Sequence, residues 1–539
     1  MDSADHSVIS ASSKAAISAG GYLGEVIAAG RPDELFRAYE TRDARFDGRF
    51  FVGVKTTGIF CRPVCPARTP LRRNVSFFSS AAAAFAAGLR PCLRCRPERA
   101  PVLRALAGGE ALVARALGAI DAGDLNEGSI EDLSARIGVT SRHLRRLFET
   151  HLGATPVQVA QTRRLLFAKQ LIEESALPLG DIAFAAGFNS VRRFNTAFRD
   201  TYARAPSALR RSVPRVARGK AGGGAIGSAG NAGNAGNEAN AGIAGNGTLI
   251  RLGVIPVESF AQLLSFYRTR AFRGVEAVDD TRYTRSINAG TAAACIEVQQ
   301  DARSGMLSLV CATPDLTQLP RVVARVKRMF DLDAPLAAVQ GHLLQDRLLQ
   351  PALKQAVRVP CAWDAFELAV RSVLGQQISV KAATTLSGRL VERFGALVPD
   401  HLRRDDAGPT RLFPPAEVLA GARAADIFAL GIIRARAETL IALARHVAAD
   451  AGWRTRYAGL EAFAAEITAL PGIGPWTAHY IAMRGFADPD AFPASDLGLL
   501  RSARALGIAT TPRELERHAE RWRPWRAYAA QALWNFRIE

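Results

Sequence analysis

Leu470-Pro471-Gly472-Ile473-Gly474-Pro475-Trp476-Thr477-Ala478 carries two glycines one residue apart within a helical region. This is a helix-hairpin-helix pattern, in which a tight glycine turn aims backbone N–H groups at a phosphate. Twenty residues after Trp476 comes Asp496, set in Phe492-Pro493-Ala494-Ser495-Asp496-Leu497-Gly498-Leu499. The hairpin alone is common in DNA binders that catalyse nothing, so it is the aspartate that raises the question of chemistry. Outward from this point, everything beyond about Pro320 reads as helix broken by Pro and Gly turns, whereas Leu249 to Val310 mixes helix with alternating segments.

The chain has 539 residues, enough for three or four domains, since single cores do not grow that large. Lys and Arg number 69 against 50 acids, a formal charge of +19, and 48% of residues are hydrophobic. Such a chain is globular and basic, which favours a polyanionic partner. The excess is local: Arg42 to Arg104 holds 13 Lys/Arg against 3 acids and Ser141 to Arg218 holds 14 against 5, so these two stretches account for all of it. No apolar run approaches the roughly 18 residues of a bilayer span, and Met1-Asp2-Ser3-Ala4-Asp5 lacks a basic signal region. The expectation is a cytoplasmic protein with no membrane partner. Residues 1–30 read as a disordered leader, and the Gly/Ala/Asn alternation of Gly219 to Gly247 as a flexible linker.

Four of the seven cysteines are Cys61, Cys65, Cys92 and Cys95. Two short-range pairs can each grip one side of a tetrahedral ion, and four sulfurs at this spacing suit zinc. Spacing alone fits a purely structural zinc ribbon. The flanks add more: Asp43-Ala44-Arg45-Phe46-Asp47-Gly48-Arg49-Phe50, the run Val54 to Arg68 and Gly88-Leu89-Arg90-Pro91-Cys92-Leu93-Arg94-Cys95-Arg96-Pro97 resemble the Ada-type methyl-acceptor domain over nearly all of residues 31 to 100. The resemblance implies that Cys61 is both zinc ligand and nucleophile, consumed when it takes a methyl group from a methylated backbone phosphate. Loss of one thiolate charge would leave the domain less repelled by DNA, making repair a switch for binding.

Residues Ser129 to Phe148 carry helix, Gly138 turn and second helix, with Arg142, His143, Arg145 and Arg146 marking a recognition helix. A second unit runs from Asp181 through Ala186-Gly187-Phe188 to Arg192 and Arg193. Two such units, followed by Pro206-Ser207-Ala208-Leu209-Arg210, resemble the AraC-type regulator domain across residues 108 to 212. A plain helical bundle with a solvated basic face is the alternative.

The hairpin followed by Gly/Pro-rich sequence and Asp496 resembles the helix-hairpin-helix glycosylase superfamily. There a carboxylate stabilises the oxocarbenium-like sugar as a damaged base leaves. A Schiff-base lyase of this type would carry lysine at position 476, and an iron-sulfur branch would need a cysteine cluster downstream, yet no cysteine follows Cys361. Arg371-Ser372-Val373-Leu374-Gly375-Gln376-Gln377-Ile378-Ser379-Val380, the run Glu520 to Ala529 and Phe266 to Glu276 resemble AlkA-type 3-methyladenine glycosylases from about residue 250 onward. The resemblance implies that Phe266, Trp476, Tyr480 and Trp534 line a pocket for a flipped base. Electron-poor alkylated purines would be favoured there by stacking and cation-π attraction. It also places Gln377 where that family carries a leucine wedge, and Gly472 and Gly474 on the DNA backbone.

The expected architecture is multidomain and mainly α. Its parts are a disordered leader (1–30), a small α+β zinc-binding methyl-acceptor domain (31–104), an all-α double helix-turn-helix domain (105–213), a linker (214–247), an α+β N-terminal lobe (248–360) and an all-α helix-hairpin-helix glycosylase domain (361–539). The expected function is a methyl phosphotriester sensor and activator fused to a monofunctional glycosylase. It would use one zinc ion and no iron-sulfur cluster, with alkylated and promoter double-stranded DNA and RNA polymerase as partners. A regulator whose glycosylase half is silent is the competing reading. The Pro-Cys-His-Arg active site of the Ada alkyltransferase domain is absent from the sequence, so removal of O6-methylguanine is not expected.

Overall fold

Helix α1 (Pro32–Glu40) precedes strand β1 (Phe51–Val54), which pairs antiparallel with both β2 (Ile59–Cys61) and β3 (Val75–Phe78). A short β4 (Arg90–Pro91) joins β2 in parallel, giving the order β3-β1-β2-β4. The turn between β1 and β2 is possible because Gly58 takes φ +63, open to glycine without steric cost. The computed structural model describes residues 32–100, 108–212, 247–290, 292–403, 408–450, 452–453, 457 and 459–536. The leader expected over 1–30 and, Gly247 apart, the linker expected over 214–247 lie outside them.

These residues form two compact units. One comprises the chain up to Thr162 with Ala324–Ser379 and Ala416–Glu539, the other Arg163–Val323 with Val380–Pro415. In the first unit, helix α2 (Ala81–Ala86) follows β3, and α3 (Gly108–Asp121), α4 (Ile130–Ile137) and α5 (Ser141–Leu152) make the first helix-turn-helix. Ser129 and Asp132 form a reciprocal capping box at the start of α4, Gly138 at φ +84 ends it, and Thr140 caps α5. Leu133, Ile137, Leu144 and Phe148 share one buried core with Val113, Ala116 and Leu117, and Ala82 of α2 belongs to the same core. Ser80 Oγ accepts from Ala83 N–H at 3.0 Å and donates to the Leu152 carbonyl at 2.6 Å, so one hydroxyl caps α2 and satisfies the last turn of α5.

In the second unit, α6 (Pro156–Glu174), which begins before the division, leads to α7 (Leu179–Ala185) and α8 (Val191–Tyr202), the second helix-turn-helix. Phe188, Phe194, Phe198 and Tyr202 make a run of ring contacts with centroids 5.4, 5.6 and 4.4 Å apart. Strands β5 (Thr248–Val254), β6 (Glu276–Val278), β7 (Arg282–Ala289), β8 (Ala292–Gln300) and β9 (Met306–Ala312) form an antiparallel sheet of order β5-β9-β8-β7-β6. Helix α9 (Val257–Arg270) connects β5 to β6. The Thr269 carbonyl at its end accepts from Thr384 Oγ1 at 3.2 Å, on α11 (Val380–Phe394).

The first unit also holds α10 (Ala365–Leu374), α12 (Arg434–Ala449), α13 (Leu460–Thr468), α14 (Pro475–Gly485), α15 (Leu497–Ala505) and α16 (Arg526–Asn535). Nearly every residue of α10 is buried, and a Cβ at Gly485 would lie 3.2 Å from Ala365, so glycine lets α14 press against it. The hairpin between α13 and α14 is therefore carried on a buried platform. The architecture is multidomain and mainly α, with small sheets in the zinc-type domain and the N-terminal lobe, as the sequence leads one to expect. Among the described residues no helix is long and apolar enough to cross a membrane.

Candidate metal centre and candidate active site

Cys61 ends β2 and Cys92 follows β4, so the parallel pairing of Phe60 with Pro91 brings the two cysteine pairs side by side. All four Sγ atoms lie within 4.8 Å of one another, and all four residues are buried. Tetrahedral zinc with Zn–S bonds of about 2.3 Å needs sulfurs roughly 3.8 Å apart, so the donor set fits zinc in number, type and spacing. Among the described residues no other group of three or more His, Cys, Asp or Glu side chains converges in this way.

Arg62, next to Cys61, is pinned on both sides. Its guanidinium pairs with Asp47, with Nε 2.9 Å from Oδ1, and donates to the Cys95 carbonyl at 3.2 Å. Its backbone N–H donates to Cys95 Sγ at 3.3 Å. Asp47 thus explains why the Asp43–Phe50 stretch accompanies the cysteines. Burial, and the negative charge of the four nearby sulfurs as thiolates, hold the Tyr39 hydroxyl above its ordinary pKa.

Helix α5 exposes Arg142, Arg145 and Arg146, with His143 half-buried, and α8 exposes Arg192 and Arg193. Their opposite faces are held by Leu144 and Phe148 in one case and by Phe194 and Phe198 in the other. Each of these two helices therefore presents a basic face beside a buried apolar one.

Asp496 is the N-cap of α15 and more than a cap. Its Oδ1 accepts from Leu499 N–H at 3.0 Å and from Trp534 Nε1 at 2.9 Å, and its Oδ2 accepts from Trp476 Nε1 at 3.1 Å. Trp476 stacks on Tyr480 with centroids 5.2 Å apart and planes 9° from parallel, one helical turn along α14, and Trp534 of α16 meets Tyr480 edge-on at 6.3 Å. The structure thus gathers Trp476, Tyr480 and Trp534 around one carboxylate. Phe266, on α9, belongs to the second unit, where the Arg270 guanidinium lies 4.2 Å from its ring centroid. Gly472 is exposed at φ +83, Gly474 is the N-cap of α14, and Gln377 is exposed in a left-handed turn at φ +55.

Two further residues shape the site and escaped the sequence reading. Arg484 is 3% exposed, with its guanidinium 5.3 Å from the Tyr480 centroid and 5.0 Å from that of Trp534. It donates to the Pro360 carbonyl at 2.7 Å and Gln531 Oε1 at 2.8 Å. Nothing in its local sequence separates it from a surface arginine. Gly498 has a legible signal, a glycine in the first turn of a helix, where it is disfavoured. A Cβ there would stand 3.0 Å from Asp496 Oδ1 and 3.3 Å from Trp534 Cδ1. Gly498→Ala should leave the thermal midpoint little changed, because a helix-propensity gain of about 1 kcal/mol offsets an overpacking cost of about the same size. Single-turnover kinetics of any reaction carried by the Asp496 carboxylate, in contrast, should slow at least about tenfold, the effect of about 1.4 kcal/mol on the barrier.

Comparison with known proteins agrees with this order of parts. Residues 34–98 match the family described as the metal binding domain of Ada, and 133–212 a helix-turn-helix domain family. Residues 249–364 match the AlkA N-terminal domain and 370–526 the HhH-GPD superfamily of base excision DNA repair proteins. DNA-3-methyladenine glycosylase 2 of Escherichia coli K12 is 33% identical over 279 residues, 52% of this chain and 94% of that protein. The bifunctional transcriptional activator/DNA repair enzyme Ada of the same organism is 39% identical over 136 residues, 25% of this chain and 37% of that protein. A Mycobacterium tuberculosis protein named "Probable bifunctional transcriptional activator/DNA repair enzyme AlkA" is 38% identical over 515 residues, 93% of this chain and 96% of its own. With that identity running through almost the full length of both proteins, the chain belongs to the family of bifunctional transcriptional activator/DNA repair enzymes AlkA.

Proposed function

We propose that this chain senses DNA alkylation and repairs part of it: a methyl phosphotriester sensor and transcriptional activator joined to a monofunctional glycosylase that excises alkylated bases such as 3-methyladenine. The labour divides among the acceptor domain (31–104), the double helix-turn-helix (105–213), the N-terminal lobe (248–360) and the glycosylase domain (361–539), with 214–247 as tether. Double-stranded DNA is the common partner, and RNA polymerase is the partner of activation.

The observation that carries the repair half is the carboxylate of Asp496, held by two indole N–H groups at the wall of an aromatic cluster. An anion fixed there is positioned to stabilise positive charge developing on the sugar and to orient the attacking water. The electron-rich faces of Trp476, Tyr480 and Trp534 favour a cationic alkylated purine over a neutral base. Gly472 and Gly474 hold the backbone through hairpin N–H groups, and Gln377 fills the space the flipped base leaves. The test is release of free 3-methyladenine from methylated duplex DNA by the full chain; release no greater than that of Asp496→Asn would favour a regulator with a silent glycosylase half.

In the sensor half, Cys61, Cys65, Cys92 and Cys95 would hold one zinc ion, and no iron-sulfur cluster is required. When bound, the metal keeps the thiols deprotonated at neutral pH. The Cys61 sulfur attacks the methyl carbon of the phosphotriester, an S–C bond forms, the C–O bond breaks, and the phosphate leaves with its negative charge restored. Arg142, His143, Arg145, Arg146, Arg192 and Arg193 then hold promoter DNA in adjacent major-groove segments. Because the four cysteines are part of the acceptor domain's own buried core, chelation of the metal under reducing conditions should open this domain. Limited proteolysis of the full chain should then cut within residues 32–100 while base release persists.

A further inference from the structure

We propose that Gln376 and Arg436 are positioning residues that lock the exposed Gln377 turn to the glycine hairpin, so that gripping the DNA backbone and forcing a base from the stack become one act. The proposal rests on the glycosylase reading above and adds to it the device that holds the wedge.

The turn is weakly held by its own backbone. Gln376 N–H reaches the Val373 carbonyl at 3.4 Å and Ile378 N–H the Gly375 carbonyl at 3.5 Å, both at the outer limit for hydrogen bonds. Gln377 sits at φ +55, a conformation disfavoured for any residue with a Cβ, and persists only where its surroundings fix it. The fixing groups come from far along the chain. Gln376 Nε2 donates to the Gly472 carbonyl at 2.8 Å and to Thr477 Oγ1 at 3.3 Å, while the Gln376 carbonyl accepts from Arg436 Nη2 in the first turn of α12.

The hairpin is anchored to the same helix. A Cβ at Gly472 would lie 2.3 Å from Thr439 Oγ1, so the glycine backbone rests directly against α12. Helix α12 therefore holds the turn through Arg436 and the hairpin through Thr439, and the Gln376 amide closes the ring between them. Thr477, at the end of that amide's reach, adjoins Trp476, whose indole holds Asp496. A push on Gln377 from the stacked bases is resisted by the element that grips the phosphate and carries the pocket wall.

The experiment uses the full chain and a duplex with 2-aminopurine beside an alkylated base, following fluorescence for extrusion, base release for chemistry and affinity for undamaged duplex at fixed salt. Gln376→Leu and Arg436→Met should slow extrusion and base release together by at least about tenfold, with undamaged-duplex affinity within about twofold of wild type. Arg436→Lys, which keeps a donor for the Gln376 carbonyl, should recover most of the loss. Asp496→Asn should keep the extrusion signal while losing release, which separates the lock from the chemistry. Wild-type extrusion in both Gln376→Leu and Arg436→Met would overturn the lock, as would a parallel loss of undamaged-duplex binding, since the residues would then merely support the hairpin. Should Gln376→Leu fail to fold, the Arg436→Met and Arg436→Lys pair decides. Absence of base release in the wild type would defeat the glycosylase reading itself.

Discussion

Asp496→Asn is expected to lower the single-turnover rate of 3-methyladenine release by about a thousandfold, within the range typical of a lost acid, base or charge-stabilising group. Both carboxylate oxygens accept N–H bonds, from Leu499 and Trp534 on one and from Trp476 on the other. Asparagine keeps an amide oxygen for Leu499 and Trp534 and remains a good N-cap, so α15 should stay in place. Its NH2 group then faces the Trp476 indole N–H, donor against donor, a mismatch of about 1–3 kcal/mol. What disappears is the fixed negative charge beside the departing base. Rapid-quench kinetics should show the rate loss with undamaged-duplex affinity nearly unchanged; a wild-type rate would place the chemistry on another group.

The second large effect concerns binding. Four thiolates on a divalent cation leave two formal negative charges, and methylation of one leaves a single charge, so the acceptor domain repels the DNA backbone less. Removing one like-charge contact at about 4 Å is worth about 1 kcal/mol in water and about 4 kcal/mol near a protein surface. Methylated protein should therefore bind promoter DNA between about fivefold and a thousandfold more tightly than unmethylated protein at low salt, the gain shrinking as salt rises. Cys61→Ala should show no gain after exposure to methyl-phosphotriester DNA and no methylation-dependent transcription, with its zinc content measured alongside. Equal affinities of the methylated and unmethylated wild-type chain would remove the electrostatic switch, and undiminished induction in Cys61→Ala would remove the sensor role.

The sequence made these sites legible where chemistry constrains residues close together. Cys61, Cys65, Cys92 and Cys95 advertise themselves because two pairs must meet one ion, and Gly472, Gly474 and Trp476 because a hairpin turn and an aromatic wall share nine residues. The helix-turn-helix units show in their glycine turns and in arginines opposite a buried face. What stayed hidden depends on neighbours distant in sequence. Arg484 is set by the Pro360 carbonyl and Gln531, 124 and 47 residues away. Gln376 acquires meaning only from Gly472 and Arg436, 96 and 60 residues on. Ser80 looks like an ordinary helix cap until its hydroxyl meets the Leu152 carbonyl, 72 residues away, and joins the four-cysteine domain to the first helix-turn-helix. Local patterns reveal ligands and turns, whereas the groups that hold them in place are chosen by tertiary packing.

The central claim, that one chain records alkylation covalently in its first half and removes alkylated bases with its second, is tested most directly by mass spectrometry. The whole 539-residue chain is incubated with duplex DNA bearing a methyl phosphotriester, digested and mapped. One added methyl group on the peptide containing Cys61, with Cys65, Cys92 and Cys95 unmodified, is the predicted result. A protein that emerges unmethylated, or methylated at another cysteine, would contradict the account.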